Sequence, residues 1–264
     1  MQDINGSSAS FDQQSKAYDK RAGLNELLCN SIAESIREAS NLAQHDCLVE
    51  IGCGTGQIGR QLDRLSSYSG FDISSGMLDQ FKCNYPNFKG TAFQADGKLP
   101  WLFEDNSVKV TFSSRALHWL DVDHVVKEAY RVSNYNDGYL FVGRIERFAD
   151  CWEKDVRKHM HHLLRENGLF PLDGQKHLKK LKVALVKKGA KVIDPIEVGS
   201  WQSTRDVNRV INNWANKNGL AGTEVPDELK NSILQELLKW AEKKYGTPLP
   251  AGTMRRYMIY GFKL

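Results

Sequence analysis

The sequence lacks any long hydrophobic run and any strong imbalance of charge. No apolar stretch approaches the roughly 18 to 20 residues that a membrane-spanning helix needs. The N-terminal residues are polar, unlike a secretion signal, in which an apolar stretch follows a charged one. The 36 basic side chains exceed the 32 acidic ones by a net charge of only +4, which neither requires nor excludes a nucleic-acid partner. We therefore expect a cytoplasmic protein with no membrane partner.

The sequence also lacks the paired cysteines of a disulfide scaffold or a zinc ribbon. The chain has 5 cysteines, an odd number, and none stands in a CxxC pair, which is typical of reduced thiols. Histidines cluster at His159, His161 and His162, but no acidic or cysteine ligand joins them at suitable spacing, so we predict no metal site. The hydrophobic content of 41% and aromatic content of 10% predict a packed core.

Short apolar segments alternate with segments of helical spacing over about a hundred residues of the chain. Such alternation is typical of a doubly wound, mostly parallel sheet with helices on both faces. The predicted strands of this region are residues 47–51, 68–73, 91–95, 108–113 and 138–143. The helices between them include residues 57–65, one that begins near Ser75, and 121–132.

The regions outside this core are richer in helical patterns. Leucine and isoleucine recur at spacings of three and four within residues 11–43, and residues 203–245 predict two or three helices. Residues 189–201 and 254–262 have the composition of strands that return to the sheet. Because no Gly/Ser-rich linker separates these regions, we predict one domain with insertions.

A glycine cluster between the first strand and the next helix is the strongest local motif. Residues 49–56 read Val-Glu-Ile-Gly-Cys-Gly-Thr-Gly, where glycine lets the backbone approach a ligand and the helix start offers N–H donors. Residues 54–59 also match the pattern GxGxxG, and Asp72 follows Gly54 by 18 residues. This pattern and this spacing are also typical of a nicotinamide dinucleotide site.

Two carboxylates favour S-adenosylmethionine (SAM) over a dinucleotide. Glu50 ends the strand before the loop, where a carboxylate would repel a pyrophosphate and attract the ammonium group of a methionine moiety. Asp96 closes the third strand as Asp72 closes the second. The three acidic strand ends match the amino acid, ribose and adenine of SAM.

The sequence resembles the class I SAM-dependent methyltransferases. The resemblance lies in five segments that follow the family's order between residues 47 and 143. These segments are Glu50-Ile-Gly-Cys-Gly-Thr-Gly56, Gly70-Phe-Asp-Ile-Ser-Ser-Gly-Met-Leu78, Gln94-Ala-Asp-Gly-Lys-Leu-Pro100, Phe112-Ser-Ser-Arg-Ala-Leu-His-Trp-Leu120, and Tyr130-Arg-Val132 with Gly138.

The resemblance implies a Rossmann-like fold with an antiparallel last strand and helical cap insertions, and it implies SAM as the cofactor. The expected parts of the single domain, residues 1–264, are a lid (1–43), a SAM-binding core (47–143), cap insertions (150–188 and 203–245) and a last strand (253–263). The implied cofactor-binding residues are Tyr18 and Arg21 of the lid, Glu50, Gly52, Cys53 and Gly54 at the methionine part, Asp72 at the ribose, Ile73, Asp96 and Gly97 at the adenine, and Ser113 near the sulfonium.

Within the class, the lid, the His118-Trp119-Leu120 element and the insertions are similar to the trans-aconitate and malonyl-carrier-protein O-methyltransferases. The resemblance therefore implies a small-molecule acceptor, with a carboxylate as the favoured group. The basic segment 176–182 could dock an acidic carrier protein or RNA, or be a solvated helix face. Against nucleic acid, residues 113–116 lack the Asn/Asp-Pro-Pro-aromatic element of nucleobase amino methyltransferases.

Methyl transfer from a sulfonium requires alignment of the reactants and exclusion of water more than a catalytic side chain. His118 is a candidate base for a phenol or amine acceptor, whereas a carboxylate acceptor needs no base. Arg115 is a candidate for binding an acceptor carboxylate. Three alternatives stay open at this point: a nicotinamide oxidoreductase, a SAM-binding protein without turnover, and an RNA methyltransferase.

Overall fold

A computed structural model describes residues 24–134, 137–148, 151–217 and 219–264. The chain divides into two compact units. Within the described ranges, the first unit consists of residues up to Arg144, Gln175–Gly199 and Met258–Leu264, and the second consists of Ile145–Gly174 and Ser200–Tyr257. In these described ranges, no helix is both long and apolar enough to cross a membrane.

Seven strands form one mostly parallel sheet in the order β3-β2-β1-β4-β5-β7-β6. The pairs β1–β2, β1–β4, β2–β3 and β4–β5 are parallel. The inner strands are buried on both faces, in keeping with their continuous apolar sequence. The strands are β1 (Cys47–Ile51), β2 (Ser67–Asp72), β3 (Thr91–Gln94), β4 (Val110–Ser114), β5 (Tyr139–Arg147), β6 (Lys191–Asp206) and β7 (Ala251–Lys263).

The predicted fold class, a Rossmann-like doubly wound sheet with an antiparallel last strand, is confirmed. The strand at residues 91–95 ends one residue earlier than expected, and the strand at 108–113 is shifted by one to two residues. The last two strands, β6 and β7, are longer than the sequence pattern suggested.

The helices of the first unit begin at the capping residues that the sequence offers. The side chains of Asn25, Ser74 and Asp121 each accept a hydrogen bond from a backbone N–H in the first turn of α1, α3 and α4. The helix predicted over residues 57–65 is only one short turn, α2. The helices of this unit are α1 (Glu26–Ser40), α2 (Gly59–Leu62), α3 (Ser75–Asn84), α4 (Val122–Val132) and α6 (Gly174–Lys187).

Helix α6 packs into the core of the first unit, although the sequence pattern placed it within a cap insertion at 150–188. Leu181 and Leu185 are fully buried there beside Val125, Ala129 and Leu140. Its exposed side carries the lysines of the basic segment. The division of the chain into a single domain with two insertions stays a prediction.

The second unit has a hydrophobic core of its own. Three helices supply it: α5 (Trp152–Glu166), α7 (Val207–Ala215) and α8 (Asp227–Tyr245). Met160, Leu164 and Leu237 are at most 1% exposed, and Trp214 is buried beside them. Burying such aliphatic side chains contributes about 1.5 to 3 kcal/mol each, before the cost of ordering the chain.

Candidate active site

The glycine loop after β1 is fixed by contacts that only glycine allows. Gly52 has a φ of +70°, and a Cβ atom at this position would overlap the side chain of Ala116. The backbone N–H groups of Gly52 and Cys53 both donate to the carbonyl oxygen of Phe71, at 2.8 and 3.1 Å. The loop is therefore held against the end of β2 and against the segment after β4.

Gly54 differs from Gly52 because the space beside it is open. Its φ is +54°, and a Cβ atom at this position would meet nothing within 4 Å. Its N–H donates to Oδ2 of Asp72 at 2.9 Å, and the N–H of Ser74 donates to Oδ1 at 2.9 Å. These two hydrogen bonds hold the carboxylate of Asp72 at the wall of the cavity.

The loop borders a cavity of about 850 Å³, a volume that includes open solvent at its mouth. All of the residues that line it belong to the first unit and come from the carboxyl ends of β1, β2, β3 and β4, where ligands of open α/β sheets bind. The lining residues are Ile51, Gly52, Gly54, Phe71, Asp72, Ile73, Met77, Ala95, Asp96, Gly97, Lys98, Ser114, Arg115, Ala116, Trp119 and Leu120.

The turn after β3 is held in place by hydrogen bonds on both sides. The N–H of Lys98 donates to Oδ1 of Asp96 at 2.9 Å, and the carbonyl of Gly97 accepts from Nε1 of Trp101 at 3.2 Å. The same carbonyl lies 2.9 Å from Nε2 of His124. Gly97 and Leu120 are close neighbours in the cavity wall, because a Cβ atom added at Gly97 would lie 3.1 Å from the side chain of Leu120.

Glu50 lies beneath the loop and does not line the cavity. Its side chain is buried and Oε2 accepts a hydrogen bond from the hydroxyl of Tyr68 at 2.7 Å. Burial raises the pKa of Glu50 to about 8; the Tyr68 hydrogen bond opposes the rise and the charge of Asp72 adds to it. The role of Glu50 at the ammonium group of the methionine part stays a prediction.

Cys53 and Ser113 are also buried and absent from the cavity wall. Burial raises the pKa of the Cys53 thiol well above its usual range, so the thiol is not a nucleophile at neutral pH. The hydroxyl of Ser113 donates to the carbonyl of Ile51 at 2.8 Å and joins β4 to β1. Its neighbour Ser114, the last residue of β4, lines the cavity in its place.

The segment after β4 contributes Arg115 and Trp119 to the cavity, whereas His118 is not among the lining residues. Arg115 has a φ of +65°, a conformation that bulky side chains rarely adopt outside functional sites. His118 lies in a 3₁₀ turn, Leu117–Trp119. Burial, together with the charges of His177 and Arg144, lowers its pKa to about 4, so its imidazole is neutral at physiological pH.

Most of the other predicted site residues line the cavity, and two of them lie outside the described residues. Gly52, Gly54, Asp72, Ile73, Asp96, Gly97 and Arg115 all line the cavity. Tyr18 and Arg21 lie outside the described residues. Four further lining residues were not predicted from the sequence: Met77, Lys98, Ser114 and Leu120. Lys98 and Leu120 directly follow the motif residues Gly97 and Trp119, and this position in the sequence could have indicated them.

The histidines at 159–162 do not form a metal site. His159 stacks on the ring of Trp240 with centroids 4.3 Å apart, and His162 lies 3.3 Å from Glu166. Within the part of the chain that the structure describes, no group of three or more histidine, cysteine or acidic side chains could hold a metal ion.

The sheet is Rossmann-like, and the cavity lies at the carboxyl ends of its strands. Residues 49–142 match the family described as a methyltransferase domain. This part of the chain is therefore similar to a methyltransferase domain, in agreement with the resemblance that the sequence motifs indicate.

Individual relatives match only part of the chain or only its fold. The biotin biosynthesis bifunctional protein BioHC of Saccharophagus degradans is 30% identical over 176 residues, 62% of this chain and 30% of BioHC. The malonyl-[acyl-carrier protein] O-methyltransferase of Brevibacillus brevis is 30% identical over 80 residues, 29% of each chain. The matches thus span less than a third of the length of these curated relatives.

Among solved structures, the YcgJ protein of Bacillus subtilis superposes with a TM-score of 0.55 and 16% identity. That superposition covers 88% of this chain and 97% of the other. At this identity the likeness concerns the fold alone.

Proposed function

We propose that this protein transfers the methyl group of SAM to a carboxylate of a small-molecule acceptor. The observation that carries the proposal is the cavity itself, where the glycine loop, Asp72 and Asp96 meet at three successive strand ends. The open space beside Gly54 provides room for a ligand against the loop backbone. The partial match to a malonyl-[acyl-carrier protein] O-methyltransferase supports a carboxylate as the acceptor group.

Each part of the cofactor has a suitable partner in the cavity. Asp72 would accept hydrogen bonds from the ribose hydroxyls, because its carboxylate lines the cavity beside the glycine loop. Asp96 and Gly97 would bind the adenine edge, with Ile73 against the ring. The backbone around Gly52, Cys53 and Gly54 would bind the methionine part, above the buried Glu50.

When bound, SAM supplies a methyl group activated by its sulfonium. The protein's own task is to align the acceptor and to exclude water. A carboxylate is already ionised at neutral pH and needs no base, which agrees with the low pKa of His118 and its absence from the cavity wall. Arg115, and Lys98 at the rim, are the positively charged residues of the wall that could orient an anionic acceptor.

The test is a calorimetric titration with S-adenosylhomocysteine, beside NADH, followed by transfer from labelled SAM to panels of carboxylic acids, phenols and amines. We expect one-to-one binding of S-adenosylhomocysteine, no binding of NADH, and label in base-labile methyl esters. Binding of NADH alone would overturn the cofactor assignment. Transfer only to phenols or amines would overturn the carboxylate assignment and return His118 to consideration as a base.

A carrier-bound acceptor is a second candidate because α6 presents a row of exposed lysines. Lys176, Lys179, Lys180, Lys182 and Lys187 are all exposed on this helix. The positive charge of this face would attract an acidic carrier protein, and the attraction would weaken as the salt concentration rises. If the acceptor is carrier-bound, Lys179→Glu with Lys182→Glu should raise KM for the carrier-bound substrate and leave KM for the free acid unchanged. A KM for the carrier-bound substrate that is the same in this variant as in the wild type would exclude the docking role.

A further inference from the structure

One face of helix α4 holds the segment that follows β3 and that forms part of the cavity wall. His124, Glu128 and Arg131 share this face, because they follow one another at spacings of four and three residues. Oε2 of Glu128 accepts a hydrogen bond from the backbone N–H of Trp101 at 2.9 Å, and Nη2 of Arg131 donates to the carbonyl of Trp101 at 2.8 Å. The backbone on both sides of Trp101 is therefore anchored to α4.

The carbonyl oxygen of Gly97 meets two ring nitrogens from behind the cavity wall. Nε1 of Trp101 donates to this oxygen at 3.2 Å, and Nε2 of His124 lies 2.9 Å from it. Because a carbonyl oxygen can only accept, Nε2 of His124 carries the proton and donates. Neither Trp101 nor His124 is among the residues that line the cavity. The carbonyl of Gly97 is therefore directed toward side chains behind the wall.

The peptide group between Gly97 and Lys98 is held at both of its polar atoms. Its oxygen accepts from the two ring nitrogens, and its N–H donates to Oδ1 of Asp96 at 2.9 Å. The atoms of a peptide group lie in one plane, so its oxygen and its N–H turn together. A rotation that breaks the hydrogen bond with His124 therefore also moves the N–H that holds the carboxylate of Asp96.

Of the two donors to Gly97, His124 is the one that can be substituted without removing a core side chain. Trp101 is 4% exposed and packs beside Phe71 in the core of the first unit. His124 is half-buried in the first turn of α4. Its backbone N–H donates to the capping side chain of Asp121 at 3.0 Å, and a change of the side chain at position 124 leaves this cap in place.

We propose that His124 is a positioning residue that sets the preference of the cavity for adenine over hypoxanthine, through the Gly97–Lys98 peptide group and the carboxylate of Asp96. Asp96 and Gly97 line the cavity, so His124 acts through them and not by touching the ligand. An oriented carboxylate accepts from the exocyclic amino group of adenine and repels the carbonyl oxygen of hypoxanthine at the same position. This inference rests on the proposed function, since it requires the adenine of the cofactor at Asp96.

The test compares S-adenosylhomocysteine with S-inosylhomocysteine, in which hypoxanthine replaces adenine. Calorimetry on the full chain gives the affinity of each ligand and hence the ratio of the two affinities. A hydrogen bond to a charged acceptor predicts a ratio of about 10 to 100 in favour of adenine in the wild type. In His124→Leu, which has no donor for Gly97, we expect the ratio to fall below about 3, because the carboxylate of Asp96 is no longer held in one orientation.

Two further variants separate positioning from a general loss of structure. His124→Gln keeps an N–H donor at the same number of bonds from Cα, so the ratio should return to within about threefold of the wild-type value. Lys127→Gln is the control, because Lys127 is exposed on the same helix, and it should leave the ratio unchanged. The ratio compares two ligands on one protein, so a lower melting temperature alone does not change it. A wild-type ratio in His124→Leu would overturn the inference.

The failure of this inference can be distinguished from the failure of the proposed function. If the ratio falls in His124→Leu but no carboxylic acid accepts methyl from SAM, the role of His124 stands and the proposed acceptor fails. If carboxylic acids accept methyl but His124→Leu keeps the wild-type ratio, the methyltransferase function stands and His124 is only structural. If the wild type binds both ligands equally, the adenine does not lie at Asp96 and the inference fails alone.

Discussion

Two glutamates, one from each unit of the molecule, are buried to the same extent, yet their carboxyl groups have opposite properties. Glu50 in the first unit and Glu153 in the second are both 2% exposed. Burial raises the pKa of Glu50 to about 8, and the Tyr68 hydroxyl only partly offsets it. Burial also raises the pKa of Glu153, but the hydrogen bonds and charges of Arg147 and Arg255 outweigh it and lower the pKa to about 2.

The difference shows that partners, rather than burial, decide whether an interior acid is charged. Glu153 is ionised and links the start of α5 to β5 and β7, so its charge serves the fold of the second unit. Burial leaves Glu50 with a raised pKa beneath the cofactor loop, and the acidic side chains that line the cavity of the first unit are those of Asp72 and Asp96.

The largest expected effect is the loss of stability in Glu153→Gln. The substitution removes the carboxylate and leaves Arg147 and Arg255 as buried charges without their acid, which typically costs about 3 to 5 kcal/mol. Unfolding in urea at pH 7 measures the change. Because the pKa is lowered in the folded protein, the stabilisation by Glu153 is present above its unfolded pKa and lost as the pH falls toward 2. Glu166→Gln on the exposed side of α5 is the control and should change stability by less than about 0.5 kcal/mol.

Glu50→Gln should change stability in the opposite direction. Between pH 4.5 and 8, folded Glu50 holds a proton that the unfolded chain has released, so the stability of the wild type falls as the pH rises through this window. Glutamine does not titrate and can still accept from Tyr68, so the variant should gain stability relative to the wild type, by a few kcal/mol at most at pH 8. Urea unfolding at pH 5, 6.5 and 8 measures the trend. A difference that does not vary with pH would mean that Glu50 is ionised in the folded protein.

Asp72→Asn should affect ligand binding more than folding. The substitution removes the charge that would bind the ribose hydroxyls, and S-adenosylhomocysteine should bind about 10- to 100-fold more weakly. Asp79→Asn is the matched control, since Asp79 is exposed on the neighbouring helix α3. Calorimetry on both variants gives the affinities. Near-normal affinity in Asp72→Asn would remove the ribose site from the cavity.

Sequence reasoning predicted the strand ends well because strand, glycine turn and helix start are local features. It placed Asp72, Asp96 and Gly97 at one edge of the sheet, and the cavity includes all three. The resemblance implied Ser113 for its backbone near the sulfonium, and this role stays a prediction; its neighbour Ser114, the last residue of the fourth strand, lines the cavity. Which partner a buried acid such as Glu50 meets depends on tertiary packing, and no local pattern reveals it.

The arginines that interact with Glu153 could not be predicted at all from the sequence. Arg147, Glu153, Arg157, Arg205 and Arg255 come from four elements, and more than a hundred residues separate the first from the last. Each arginine taken alone is typical of a solvated surface. Only the fold of the second unit brings them to one carboxylate.

The smallest expected effect is that of His118→Gln on methyl transfer. A base that takes a proton in the reaction contributes about 10²- to 10⁴-fold to the rate, whereas a carboxylate acceptor has no proton to lose. With its pKa near 4, His118 is already neutral from pH 6 to 9. We therefore expect kcat for a carboxylic acid acceptor to change by less than about threefold, with no inflection near pH 6.5 in the wild type or the variant.

Steady-state rates across pH 5.5 to 9 test this expectation, with His45→Gln as the control because the side chain of His45 is 88% exposed. A hundredfold loss of kcat in His118→Gln alone would mean that the imidazole reaches the acceptor when the site is filled. The role of the buried His118 would then depend on the bound ligand. A buried side chain of the first unit that is uncharged without ligand could therefore still take part in the reaction.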